Sequence, residues 1–130
     1  MELLARLGHF FEQVRSDADF ATFASELRRH QVSSYIYFVS TGNMNFVMAN
    51  DEVITIKSAR GLLRVRSAPS HRLTSAAVIR HFAGAINFEQ YCRDLASAGV
   101  FKWSVDLEEE TRHYWSKENR LLYKESLIPP

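Results

Sequence analysis

At 130 residues, 46% hydrophobic and 24% charged, the chain is long enough to bury a core and has the make-up of an ordinary globular protein. A formal net charge of +1 favours neither nucleic acid nor an anionic membrane as a partner, and one cysteine excludes an intramolecular disulfide and a thiolate metal cluster. No apolar run approaches the roughly 18 residues of a membrane helix, and MELLARLGHFFEQVR lacks a basic leader before an unbroken apolar segment, so an intracellular, cytoplasmic location is expected.

Leu3, Leu4, Leu7, Phe10, Phe11 and Val14 recur at helical spacing and predict a first amphipathic helix ending near Ser16-Asp17. Asp19 is the expected cap of a second helix, with Phe20, Phe23, Ala24 and Leu27 facing inward and Arg28, Arg29 and His30 suiting its C-terminal end. The short connection between the two implies an antiparallel hairpin. From Ser33 to Arg66 the chain reads as a meander of four strand-like runs: SYIYFV, NFVMA, VITIK and LLRVR, with turn residues between them.

After Pro69 a third helix is expected at about Leu73 to Ala83, with Val78, Ile79 and Phe82 in the core and Gly84 ending it. Asn87 caps the fourth, Gln90 completes a capping box, and Ile86 with Tyr91 forms a hydrophobic staple. Phe88, Tyr91, Cys92, Leu95 and Ala96 make one apolar face, and Gly99 is free to end the helix in a left-handed conformation. Phe101, Trp103, Val105 and Leu107 then alternate with Lys102, Ser104, Asp106 and Glu108, a strand with one dry and one wet face. RHYWS, a turn at Lys117 to Arg120, and LLYKESL complete the chain.

The stretch Asn87 to Leu107 lies without a gap on Asp19 to Val39 when moved back by 68 residues. Phe20 meets Phe88, Phe23 meets Tyr91, Leu27 meets Leu95, Val32 meets Val100, and Tyr35 meets Trp103. Phe46 then meets Tyr114, and Asp51 meets Asn119. The predicted fold is α+β: an internally duplicated helix-helix-strand-strand-strand unit with an antiparallel sheet packed on helices. It forms a single domain of two pseudo-repeats, about 1–66 and 69–130, with an extra strand at about Leu62 to Arg66 closing the first.

Chemistry is harder to find. The five histidines form no helical pair or HExxH motif, and no metal or cofactor is expected. Cys92 sits on an apolar helix face, where desolvation works against a thiolate, and no GxSxG elbow is present. Glu108-Glu109-Glu110 sits at a strand end and reads as a solvated turn before it reads as acid/base equipment. One asymmetry stands out: between Glu52 and Glu89 there is no acid, while Lys57, Arg60, Arg64, Arg66, Arg72 and Arg80 are all basic. Arg64 and Arg66 share a strand face, and with Arg72 they are the candidate anion site. The plainer reading pairs these arginines with Glu108 to Glu110 and Glu125. Without a Gly-rich phosphate loop or a recognition motif, nucleic acid is not expected as a partner.

RRHQVSSYIYF, AGVFKWSVDLEEETRHYW and ENRLLYKESL resemble the matching stretches of the YbcV-like proteins, small bacterial and phage-associated proteins of a domain-of-unknown-function family sometimes labelled "phage envelope protein". The similarity spans nearly the whole chain. It implies an α+β fold and carries no activity, cofactor or catalytic residue.

Two functions remain open. The leading one is a small non-enzymatic binding or interaction module with an unidentified protein or small-molecule partner; the other is an enzyme acting on a small anionic substrate, using the arginines of 60–80 and His81 or His113. Tyr35, Ile36, Phe38, Trp103 and His113 are the candidate pocket or interface residues, because aromatic residues on strands line both cores and binding surfaces. The strand Tyr35 to Val39 is apolar on both faces, whereas its counterpart has Lys102, Ser104 and Asp106 outside. It must be covered twice, either from within the chain or by a second copy, and a homodimer is the expectation.

Overall fold

The structure, a computed structural model, describes Arg6, Phe11 and residues 17–127. In chain order these form α1 (Asp17–Arg29), β1 (Val32–Phe38), β2 (Met44–Met48), β3 (Val53–Ile56), α2 (His71–Phe82), α3 (Phe88–Ser97), β4 (Val100–Asp106), β5 (Thr111–Ser116) and β6 (Leu121–Ser126). The predicted first helix and its hairpin lie outside the described residues except at Arg6, which is exposed, and Phe11, which is buried.

Two hairpin meanders are joined through their first strands into one antiparallel sheet ordered β3-β2-β1-β4-β5-β6. The α+β architecture is therefore as the alternation predicted. Each strand turns one set of side chains toward the helices, as its period of two requires. Tyr35, Tyr37, Met44, Phe46, Trp103, Val105 and Tyr114 form the sheet's contribution to the core. Phe23, Ala24 and Leu27 of α1 and Phe88, Tyr91, Cys92 and Leu95 of α3 close over it. At the centre Tyr37 and Trp103 stack with ring centroids 4.5 Å apart, and Phe11 lies within 6 Å of both rings. Each fully buried side chain of this size contributes about 1.5–3 kcal/mol of transfer free energy.

Positions 68 residues apart occupy matching places in the ladder. Tyr35 pairs with Phe46 as Trp103 pairs with Tyr114, and Ile36 pairs with Asn45 as Ser104 pairs with His113. Both strands carry a register irregularity two residues before these pairs, between Val32 and Ser34 and between Val100 and Lys102. Where the halves meet, Ile36 pairs with Ser104, its own counterpart, so the β1–β4 ladder reads the same from either side. Positive φ recurs too: Gln31 with Gly99, Gly42 with Glu110, and Asp51 with Asn119. The correspondence stops at two places. Tyr114 pairs with Tyr123 across a further irregularity that the β2–β3 pair lacks, and buried Phe11 has exposed Ile79 as its counterpart.

Helix ends follow side-chain chemistry. Asn87 caps α3 by accepting from the Gln90 backbone N–H at 2.8 Å. Gln90 does not complete the box; its amide donates to Asp94 at 2.8 Å instead. Gly99 leaves α3 at φ +89, and a Cβ there would stand 2.6 Å from the Pro69 Cα, so both backbone angle and close approach require glycine.

Four expectations need correction. Asp19 is inside α1, which has already begun at Asp17. The third helix starts at His71, capped by the Ser70 hydroxyl. Its buried stripe is Thr74, Ala77, Val78 and His81, whereas Ile79 is 62% exposed. Residues 62–66 form no strand. They run as an extended strap whose backbone donors go to Ser40 (from Leu63) and to the Ala96 carbonyl of α3 (from Arg66), with Val65 buried beneath it. Its alternation records packing against helix and sheet end, and no strand ladder.

Candidate functional site

The three described helices cover one face of the sheet, and none of them packs on the other. On β1–β3 the outward set is Ser34, Ile36, Phe38, Asn45, Val47, Val53 and Thr55, with Val53 55% exposed. On β4–β6 it is Lys102, Ser104, Asp106, Thr111, His113, Trp115, Leu121, Lys124 and Ser126, with Leu121 40% exposed. The β1–β3 part of this face is mostly apolar and the β4–β6 part mostly polar. A shallow depression of about 440 Å³ lies on the polar side, lined by Ser104, Asp106, Glu109, His113, Trp115 and Lys124. Trp115 donates its indole N–H to the Ser104 hydroxyl at 3.1 Å and stacks on His113 with centroids 5.7 Å apart. Partial burial, followed by the Lys124 ammonium, lowers the His113 pKa from its ordinary 6.5, and the Asp106 carboxylate works the other way.

Beneath the sheet a second group of polar side chains is enclosed in the core. Arg112 is buried, and its Nε and Nη2 both reach Glu125 Oε1, at 2.8 and 2.7 Å. Its guanidinium lies between the rings of Phe20 and Phe82, at 4.9 and 4.1 Å. The Tyr91 and Tyr114 hydroxyls bond each other, and His81 stacks on Tyr91 at 3.8 Å with an interplanar angle of 3°. Desolvation raises the pKa of Tyr35, Tyr91 and Tyr114, so all three phenols stay protonated. Burial opposes the charge on Arg112, but the Glu125 carboxylate beside it offsets this and the guanidinium remains a cation.

The sequence-predicted site residues are divided among three places. Tyr35 and Trp103 face the helices, while Ile36, Phe38 and His113 face outward, so the five candidates lie on opposite sides of the sheet. Arg64, Arg66 and Arg72 are exposed near the end of the sheet where β1 finishes and β4 begins, and they form no ion pair among the described residues. Their expected partners are occupied elsewhere: Glu110 pairs with Arg28 at 3.5 Å and Glu125 with Arg112. Arg60 is held structurally through the Val39 carbonyl, and Arg80 by Asp94 at 3.0 Å. The structure therefore does not gather the arginines, His81 and His113 around one cavity. Glu108 and Glu109 are exposed in a turn whose backbone N–H groups bond the Asp106 carboxylate. Cys92 is fully buried, as its helix face predicted, with its thiol 3.8 Å from the Tyr37 hydroxyl. Among the described residues no cluster of His, Cys, Asp and Glu has the geometry to hold a metal, and no helix is long and apolar enough to cross a membrane.

Arg112 escaped the sequence reading, although strand parity carried the signal. Tyr114 lies opposite Trp103, so residues two positions either side of it, Arg112 and Ser116, face the core as well.

Two proteins of Escherichia coli strain K12 are similar over almost the whole length. One, the uncharacterised protein YcgX, is 37% identical over 117 residues, 90% of this chain and 87% of its own. The other, the uncharacterised protein YbcV, is 37% identical over 127 residues, 98% of this chain and 93% of its own. Residues 8–126 match a family model described as a protein of unknown function, and by that match the chain belongs to the DUF1398 family.

Proposed function

We propose that the protein is a non-catalytic interaction module of the cytoplasm whose outer sheet face associates with a second copy of itself. The observation that carries this reading is the largely apolar β1–β3 half of that face, where half-buried Ile36, Phe38 and Val47 and exposed Val53 are turned away from every described helix. Charge placement favours a second copy as the occupant. On β4, Lys102 stands at one end and Asp106 at the other, with Glu109 beside it. A two-fold axis across the strands stacks two such faces antiparallel and sets Lys102 of one protomer against the Asp106 end of the other. The same reading treats the halves as two copies of one unit; the shared register and the recurring positive-φ positions support it.

The test replaces Ile36 with Ser and Phe38 with Asp, the residues that stand at 104 and 106. Light scattering should report a dimer for the native protein and a folded monomer for the variant. A native monomer, or a variant that remains a dimer, would refute self-association through this face, and a variant that unfolds would place the cover inside the chain. Orientation has its own check. Lys102→Asp alone should weaken the dimer, and adding Asp106→Lys should restore it; no restoration rules out the antiparallel arrangement.

A further inference from the structure

A small cavity lies between the three helices and the inner face of the sheet, with about 10 Å³ of free space. Phe11, Phe20, Phe82 and Phe88 form much of its wall, and Tyr35, His81, Tyr91 and Arg112 also border it. Its size is that of one water: roughly 10–15 Å³ is needed for a single molecule, which stays only where it finds two to four polar partners. Purely apolar voids of this kind remain empty. This one is not purely apolar. The Tyr35 side chain is fully buried, and its hydroxyl has no hydrogen-bond partner among the described residues. The neighbouring Arg112 guanidinium has five N–H donors, and Glu125 accounts for the bonds at Nε and Nη2 only.

We infer that this cavity is a binding site for one water molecule, which accepts hydrogen bonds from the Tyr35 hydroxyl and the Arg112 guanidinium. The water satisfies a buried phenol that would otherwise have lost its solvent bond with nothing in return. It also ties β1 to β5 through the core. The two strands are not neighbours, since β4 lies between them, and the bridge is a polar contact of the β1 side with the Arg112 cluster. The site is independent of how the outer face is covered.

Tyr35→Phe decides the matter through the sign of its effect. A bare buried hydroxyl is a liability, so removing it from a dry cavity raises Tm. A hydroxyl that holds a water loses a bond on removal and leaves the water short of partners, so Tm falls by a few degrees. A crystal structure of the native protein supplies the second reading, because phenylalanine and tyrosine differ too little for folding to be at stake. The expected result is ordered density within about 2.7–3.2 Å of both Tyr35 Oη and a nitrogen of Arg112. An empty cavity, density that reaches neither group, or a higher Tm for Tyr35→Phe overturns the assignment.

Discussion

The β1–β3 and β4–β6 halves of the sheet share a ladder register and turn geometry, yet they distribute polarity in opposite ways. Inside, the first half presents Met44, Phe46 and Phe23 where the second presents Arg112, Tyr114 and Tyr91, and all six are buried. Outside, the first half presents Ile36, Phe38 and Asn45 where the second presents Ser104, Asp106 and His113. The first half is thus mainly apolar inside, its buried polar groups being the Tyr35 and Tyr37 hydroxyls, and largely apolar outside, and the second carries polar groups on both sides. One backbone frame tolerates both patterns because the ladder is built from main-chain bonds, while side chains answer only to what covers them. The lesson is a division of character: the first half carries apolar side chains on its outer face, and the second a polar core that must be satisfied internally.

The strongest way to break that contrast is to disturb the buried ion pair. Glu125→Ala leaves the Arg112 guanidinium enclosed and uncompensated, and should cost about 3–5 kcal/mol in urea unfolding. Replacing the pair together, Arg112→Met with Glu125→Leu, gives the second half the apolar interior that Met44 already gives the first. Stability should then return to the native level or exceed it, since well-packed apolar residues match buried ion pairs at no net loss. A loss below about 1 kcal/mol for Glu125→Ala would mean that water reaches the guanidinium and that the halves differ less than their burial implies.

A smaller effect is expected at the phenol pair. Tyr91→Phe or Tyr114→Phe alone strands the remaining hydroxyl in the core, at about 1–3 kcal/mol. The two together reproduce the Phe23 and Phe46 pair of the first half and should cost clearly less than the sum of the single changes. Additive losses measured by thermal unfolding would show that the two hydroxyls have separate partners.

Much of this contrast was legible in the sequence, and what was missed has local causes. The six strands of the sheet stood out because period-two alternation and Gly, Asn and Asp turns agree with each other there. The dry outer face of β1 was visible for the same reason. In the third helix Val78 and Phe82 pack on the core as expected and only Ile79 misled, because the buried stripe runs through Thr74, Ala77, Val78 and His81, two of them polar. At Leu62 to Arg66 the alternation was real, but the strap's backbone bonds go to a loop and a helix end, which no pattern of side chains announces. The candidate pocket mixed Tyr35 and Trp103 with Ile36, Phe38 and His113 because it grouped residues by type before asking which way each faces.

The smallest effect belongs to His113, whose counterpart in the first half is Asn45, a residue that does not titrate. Burial first and the Lys124 ammonium second push its folded-state pKa below the ordinary 6.5, with Asp106 opposing them. The group facing it across β4 is the uncharged Ser104. Because the folded value is the lower one, the unfolded chain binds more protons between the two, and stability rises with pH across that window. The penalty is absent above the unfolded pKa and develops as pH falls through about 6.5 toward the folded value. His113→Asn makes the second half match the first at this position and should flatten the stability profile between about pH 7 and pH 5, with little change at about pH 8. Urea midpoints at fixed protein concentration measure this directly. An identical slope in the variant would mean that His113 is as freely solvated as any surface histidine, and that the polar depression on β4–β6 is wet throughout.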